Sequence, residues 1–227
     1  MESMKFSTVR AVAFDKDGTL HDTEKVFLEA WKRAAEDLNV PDIARTVRDC
    51  TGVNLPDTAV YWGKKYPDIP FETYLARRQY HFNEIVRDGV PVKAGAVELL
   101  TYLTEHGYAI GLATSTPYAT TMEHLERTDM ARFFAPHAIV TGDMVKRGKP
   151  HPEIFLTAAA RLGADPAACI GVEDSNNGIR SVYAAGMRAV FVPDLTPLDQ
   201  DVQSMIWKTC ESLTDLIPLL EEQMKDR

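Results

Sequence analysis

At 227 residues, 45% hydrophobic and 26% charged, the chain has the composition of a globular protein long enough for one large domain or a domain with an insert. Lysine and arginine total 25 against 33 acidic residues, and the resulting net charge of −8 argues against a nucleic-acid binder or a partner of anionic membranes. Cys50, Cys169 and Cys210 lack metal-ligand spacing, and their odd number fits free thiols; with no signal peptide and no bilayer-spanning stretch, the cytoplasm is the expected location.

Val9 to Phe14 is an apolar run that predicts a buried strand, and it ends in Asp15-Lys16-Asp17-Gly18-Thr19. In an extended chain, residues i and i+2 face the same way with Cα atoms roughly 6.5 Å apart. That spacing suits one carboxylate attacking a phosphorus while the other meets the leaving oxygen. An acidic turn is the plain alternative, since Asp and Gly dominate turns for local reasons.

The next stretch, Lys25 to Asp88, predicts helices at about 25–38, 42–50, 56–66 and 71–88 and no strand. It reads as a helical insert, entered through Asp22-Thr23-Glu24 and left through Asp88-Gly89-Val90-Pro91. The expected domains are therefore a core, 1–24 and 90–227, and a cap, 25–89. Tyr61, Trp62, Tyr66 and Phe71 are expected in the cap's own core, and Arg77 and Arg78 on a water-facing helix.

From about Ala94 the rhythm changes to alternating helices and strands. A helix to His106 stops at Gly107, and strands follow at Tyr108 to Ala113 and His137 to Val140. Pro152 to Leu162 predicts a helix, Ala168 to Val172 a strand, Asn176 to Ala185 a helix, and Ala189 to Val192 a strand. Ser212 to Gln223 predicts a closing amphipathic helix. Such alternation implies parallel pairing by right-handed crossovers, hence an α/β fold with a Rossmann-like open parallel sheet.

Four polar clusters fall at or just beyond predicted strand ends, where such a sheet places its ligands. They are Asp15 with Asp17; Thr114-Ser115-Thr116; Lys149 in Gly148-Lys149-Pro150; and Glu173-Asp174 ahead of Ser175. Each has an ordinary explanation: Ser115 or Thr116 as the cap of the helix after Pro117, Lys149 as a surface cation, the last group as a helix cap. Together their chemistry is complementary. Carboxylates suit a hard divalent cation, a hydroxyl suits a phosphoryl oxygen, and a lysine offsets the anionic charge.

In order and context, these clusters resemble the four motifs of the haloacid dehalogenase superfamily: Phe14 to Leu20, Ala113 to Ser115, Gly148 to Pro150, and Gly171 to Gly178. The resemblance covers nearly the whole chain, implies an inserted α-helical cap, and is closest in style to β-phosphoglucomutases and small sugar- or glycolate-phosphate phosphatases. It implies Asp15 as nucleophile, Asp17 as acid and base, and Thr114 and Lys149 as further catalytic groups. Gly18, Thr114, Ser115 and Lys149 would bind phosphate. Mg²⁺ would be held by Asp15, the backbone carbonyl of Asp17, Glu173 and Asp174. Lys16 is expected to alternate away from the site, as a structural variation paired with a nearby acid, and His21 to be an exposed hinge residue. Gly52, Val53 and Asn54 would form a specificity loop on the cap.

Asp17 distinguishes phosphoryl transfer from dehalogenation, because dehalogenases of this kind lack an Asp two residues after the nucleophile. The expected activity is Mg²⁺-dependent hydrolysis of a small phosphorylated metabolite, by a monomer. A sugar-phosphate mutase is the alternative; β-phosphoglucomutases carry a His twelve residues after the nucleophile, where this chain has Phe27. A non-catalytic metabolite-binding protein is the third.

Overall fold

The computed structural model describes residues 8–50, 55–87, 89–194 and 197–225. In chain order, β1 (Ala11–Phe14) is followed by four helices, α1 (Thr23–Asp37), α2 (Ile43–Cys50), α3 (Leu55–Lys65) and α4 (Phe71–Val86). Then come α5 (Ala96–Glu105), β2 (Ala109–Thr114), α6 (Tyr118–Arg127), β3 (Ile139–Thr141), α7 (Glu153–Arg161) and β4 (Cys169–Glu173). The chain closes with α8 (Asn176–Ala184), β5 (Arg188–Phe191), α9 (Gln200–Gln203), β6 (Ile206–Thr209) and α10 (Leu216–Lys225).

The strands form one parallel sheet in the order β3-β2-β1-β4-β5-β6. β1 is central because it is apolar on both faces, as a strand covered twice must be. Val12 and Phe14 join the larger side chains of α5 and α10, including Leu99, Leu103, Leu216 and Leu220. Ala11 and Ala13 point the other way and leave room for Ile154 and Phe155 of α7 and Ile179 and Val182 of α8. β6 had no counterpart among the expected strands. It lies at the sheet edge, with Lys208 and Thr209 exposed, so its sequence lacks the apolar run that marks a central strand.

The chain divides into two compact units, Asp22–Pro91 and the remainder. The division lies slightly outside the expected 25–89 because the Asp22 N–H donates to the Pro91 carbonyl at 2.8 Å, which keeps both ends of the insert together. The insert packs around Trp62, with Tyr66, Tyr74, Ala34 and Val40 buried beside it. Tyr61 is not part of that core; it is half-buried, and its hydroxyl donates to Asp49 at 2.6 Å. Arg77 is exposed and paired with Asp37. Arg78, by contrast, is half-buried beside the rings of Phe27 and Trp31, 5.8 and 5.5 Å from their centroids. The helical period turned it inward, where the aromatic faces accept its guanidinium. Gly52, Val53 and Asn54 lie outside the described residues.

Candidate active site

The parallel register assembles the site. Phe14 of β1 sits between Leu112 of β2 and Val172 of β4, so the next residues along each strand end at one level. The Asp15 N–H donates to the Val172 carbonyl at 2.9 Å, which extends the ladder by one step and fixes the direction of Asp15. Thr114 closes β2 and Glu173 closes β4. Lys149 arrives on the connection between β3 and α7.

Lys149 Nζ donates to Asp15 Oδ1 at 2.5 Å and to Glu173 Oε1 at 2.6 Å, with only 7% of its side chain exposed. Asp15, Glu173 and Asp174 are all buried, and each offers a carboxylate oxygen within 4.8 Å of the others. Burial pushes the Asp15 carboxyl up to about 7, with Glu173 and Asp17 adding to the shift and Lys149 opposing it. Burial works against the Lys149 ammonium too, but Asp15 and Glu173 outweigh it and raise its pKa.

The donor set fits a hard divalent cation. Three carboxylates against one ammonium leave two formal negative charges, and every donor atom is oxygen. Space is kept for Asp174 by Gly18, whose φ of +81° lies in the left-handed region. A Cβ there would stand 2.1 Å from Asp174 Oδ2. Thr19 Oγ1 donates to the other oxygen, Asp174 Oδ1, at 3.2 Å. Glu173 Oε2 accepts from the Asp174 and Ser175 N–H groups at 3.1 and 3.0 Å, and from Ser175 Oγ at 2.9 Å. Ser175 also caps α8 by accepting from the Gly178 N–H.

Gly178 is a close-approach position, since a Cβ would overlap Glu173 Cδ at 1.7 Å. Gly178→Ala is therefore expected to displace Glu173 and to weaken any binding of a divalent cation by the three carboxylates by about 10- to 100-fold, as losses of supporting residues around metal sites do. Calorimetric titration of the wild type and the folded variant with Mg²⁺ measures this; equal affinities would exclude Glu173 as a ligand.

Asp17 lies apart from the three-carboxylate cluster. Its Oδ1 accepts from Lys16 Nζ at 2.5 Å, and its Oδ2 accepts from Thr116 Oγ1 at 2.6 Å and Thr114 Oγ1 at 3.4 Å. Burial alone would raise the Asp17 carboxyl, but Lys16, then Thr116, reverse that and lower it. The Asp17 side chain is thus committed to Lys16 and the two threonines rather than to the three-carboxylate cluster.

Several expectations need correction. Lys16 is paired with a nearby acid as expected, but that acid is Asp17 and the lysine side chain is fully buried beside it, because the chain leaves the strand conformation after Phe14 and two-residue alternation no longer sets its direction. The Gly18 N–H, expected to face a phosphate, donates to the His21 carbonyl at 2.8 Å inside the turn. Gly18 thus contributes space rather than a free donor. Ser115 is exposed, and neither it nor Thr116 caps α6. The Tyr118 N–H is taken instead by the Asp143 carboxylate at 3.2 Å, which frees the Thr116 hydroxyl for Asp17. His21 is buried, with Nε2 3.1 Å from Thr128 Oγ1. Thr116 was legible in principle, lying two residues past Thr114. His124, which meets Lys16 from α6, carried no local signal.

Known proteins share this arrangement of chain. A sequence model described as haloacid dehalogenase-like hydrolase matches residues 9–186. The phosphorylated carbohydrates phosphatase of Thermotoga maritima is 30% identical over 189 residues, covering 81% of this chain and 84% of the relative. The β-phosphoglucomutase of Bacillus subtilis is 32% identical over 198 residues, covering 84% and 86%. A crystal structure of an HAD family hydrolase from Deinococcus radiodurans, with bound phosphate and sodium, superposes with a TM-score of 0.80 at 25% identity. That match covers 95% of this chain and 96% of the other.

Proposed function

The chain belongs to the haloacid dehalogenase-like hydrolases, and on that footing we propose that it is a Mg²⁺-dependent phosphatase of small phosphorylated metabolites, of the sugar phosphate or phosphoglycolate type. The observation that carries this reading is the buried meeting of Asp15, Lys149, Glu173 and Asp174 at the carboxyl ends of β1 and β4. The names of the Thermotoga phosphatase and the phosphate bound to the Deinococcus hydrolase support it.

Asp15 attacks the substrate phosphorus, forming an aspartyl-phosphate as the bond to the leaving oxygen breaks. Asp17, entering this step protonated, gives its proton to that oxygen, which departs as an alcohol. Now ionised, the form that Lys16 and Thr116 favour, Asp17 takes a proton from the water that attacks phosphorus in the second step. As the water oxygen bonds to phosphorus, the acyl-phosphate bond between phosphorus and the Asp15 oxygen breaks and inorganic phosphate is released. Lys149 holds Asp15 and Glu173 in register and offsets charge gathering on the phosphoryl oxygens. Thr114, whose bond to Asp17 is long, can turn its hydroxyl to a phosphoryl oxygen. Mg²⁺ would be held by Asp15, Glu173, Asp174 and the Asp17 carbonyl, and would supply the charge neutralisation that lets an anionic nucleophile approach a phosphate. The family resemblance implies that the helical insert contributes selectivity for the leaving group.

Phosphate release from a panel of sugar, glycolate and nucleotide phosphates tests this reading. Activity is expected with Mg²⁺ and is expected to vanish with EDTA; release unaffected by EDTA, or none from any ester, would overturn it. The Bacillus relative favours a sugar-phosphate mutase as the second reading. Against it, the position of the mutases' histidine holds Phe27, whose ring stacks on Phe82 at 4.5 Å. Isomerisation of β-glucose 1-phosphate dependent on a bisphosphate primer would establish the mutase instead.

A further inference from the structure

Lys16 is an ammonium buried completely within the connection after β1, a placement that is costly unless its charge is matched. Both of its partners are defined. Nζ lies 2.5 Å from Asp17 Oδ1 and 3.2 Å from Nδ1 of His124 on α6. Burial, then the neighbouring ammonium, lowers the pKa of His124. An ammonium can only donate, so Nδ1 accepts a hydrogen bond from it and the ring is neutral. The backbone of Lys16 is tied as well, its carbonyl accepting from the Leu20 and His21 N–H groups at 2.9 Å each. The base of the lysine is therefore fixed by the turn and its tip by a helix.

Stability does not explain this arrangement. A buried ion pair is commonly matched or exceeded in stability by apolar side chains of the same volume. Phe14 and Leu125 show that apolar side chains already fill neighbouring parts of this core. What the lysine adds is direction. It takes one oxygen of Asp17, and Thr116 takes the other. Two donors on the two oxygens fix both the rotamer and the plane of the carboxylate.

We propose that Lys16, braced by His124, is the positioning residue for Asp17, holding the acid in the line of the leaving oxygen. This rests on the reading of Asp17 as the group that protonates the leaving oxygen. Misplacement of a catalytic group by about 1 Å can cost on the order of 100-fold, so loss of one of two anchors is expected to be visible in that step alone.

The test compares kcat/KM for an alkyl phosphate, whose leaving oxygen needs a proton, with that for p-nitrophenyl phosphate, whose leaving group does not. Lys16→Met is expected to lower the alkyl value about 10- to 100-fold and the aryl value at least about tenfold less, a share of the usual effect of general acid catalysis. Asp17→Asn is expected to show the same split, more strongly. Adding Lys16→Met to Asp17→Asn should widen the split by less than about threefold, as expected for two changes acting on one interaction.

His124→Leu should reproduce the split in weaker form. His124→Asn, which keeps an acceptor near the Nδ1 position, should restore the ratio, and this pair carries the test should Lys16→Met not fold. Equal losses on both substrates, or none, in Lys16→Met or His124→Leu alongside a split in Asp17→Asn overturn the role of Lys16 alone. No split in Asp17→Asn overturns the assignment of Asp17, and the role of Lys16 with it.

Discussion

Asp15→Asn is expected to lower phosphate release at least about 10⁴-fold, the scale on which removing a covalent nucleophile disables an enzyme. The amide keeps the size of the carboxylate but cannot form the acyl-phosphate bond. The variant should fold, because the ladder bond from the Asp15 N–H to Val172 belongs to the backbone and survives. Acid quenching of enzyme turning over ³²P-labelled substrate should trap label on the wild type and none on Asp15→Asn. Residual turnover above about one hundredth of wild type would contradict the nucleophile assignment, since the uncatalysed floor lies far lower.

Lys149→Met is expected to lower kcat/KM by about 10³-fold, as loss of a preorganised charge-stabilising donor does. The clustering of carboxylates around Lys149 has a second consequence. Asp15, Glu173 and Asp174 are buried together, and the Lys149 ammonium touches two of them. Removing one partner from a buried charge cluster costs on the order of 3–5 kcal/mol. In EDTA the variant should therefore melt well below the wild type. Excess Mg²⁺ should narrow the gap, because a divalent cation neutralises the same oxygens. Thermal melts of both proteins, with and without Mg²⁺, measure this. A gap that stays constant on adding Mg²⁺ would argue that the cation binds elsewhere.

Much of the scaffold was legible because burial on both faces writes itself into composition. Val9 to Phe14, Tyr108 to Ala113 and Ala168 to Val172 are apolar runs bounded by turn residues, and they became β1, β2 and β4 with shifts of one or two residues. The insert was legible from helical periodicity over a block with no strand pattern. β6 was not, because an edge strand with solvent on part of its surface needs no apolar run. Cap assignments also failed where a distant residue could compete. Asp143 reaches the first N–H of α6 only because β3 pairs beside β2, and no local pattern contains that fact.

The sequence by itself determined most of the elements, the parallel α/β class, the family and the identity of the acids, hydroxyl and lysine gathered at the strand ends. These follow from local periodicity and from residue types whose chemistry is complementary wherever they meet. Tertiary structure alone decided which groups meet. It separated Asp17 from the three carboxylates around Lys149, committed the Gly18 N–H to the turn and buried Lys16 between Asp17 and His124. The physical reason is that two-residue alternation predicts direction only while the chain remains a strand. Once β1 ends at Phe14, hydrogen bonding within the turn and packing against α6, over a hundred residues away, set where each side chain points.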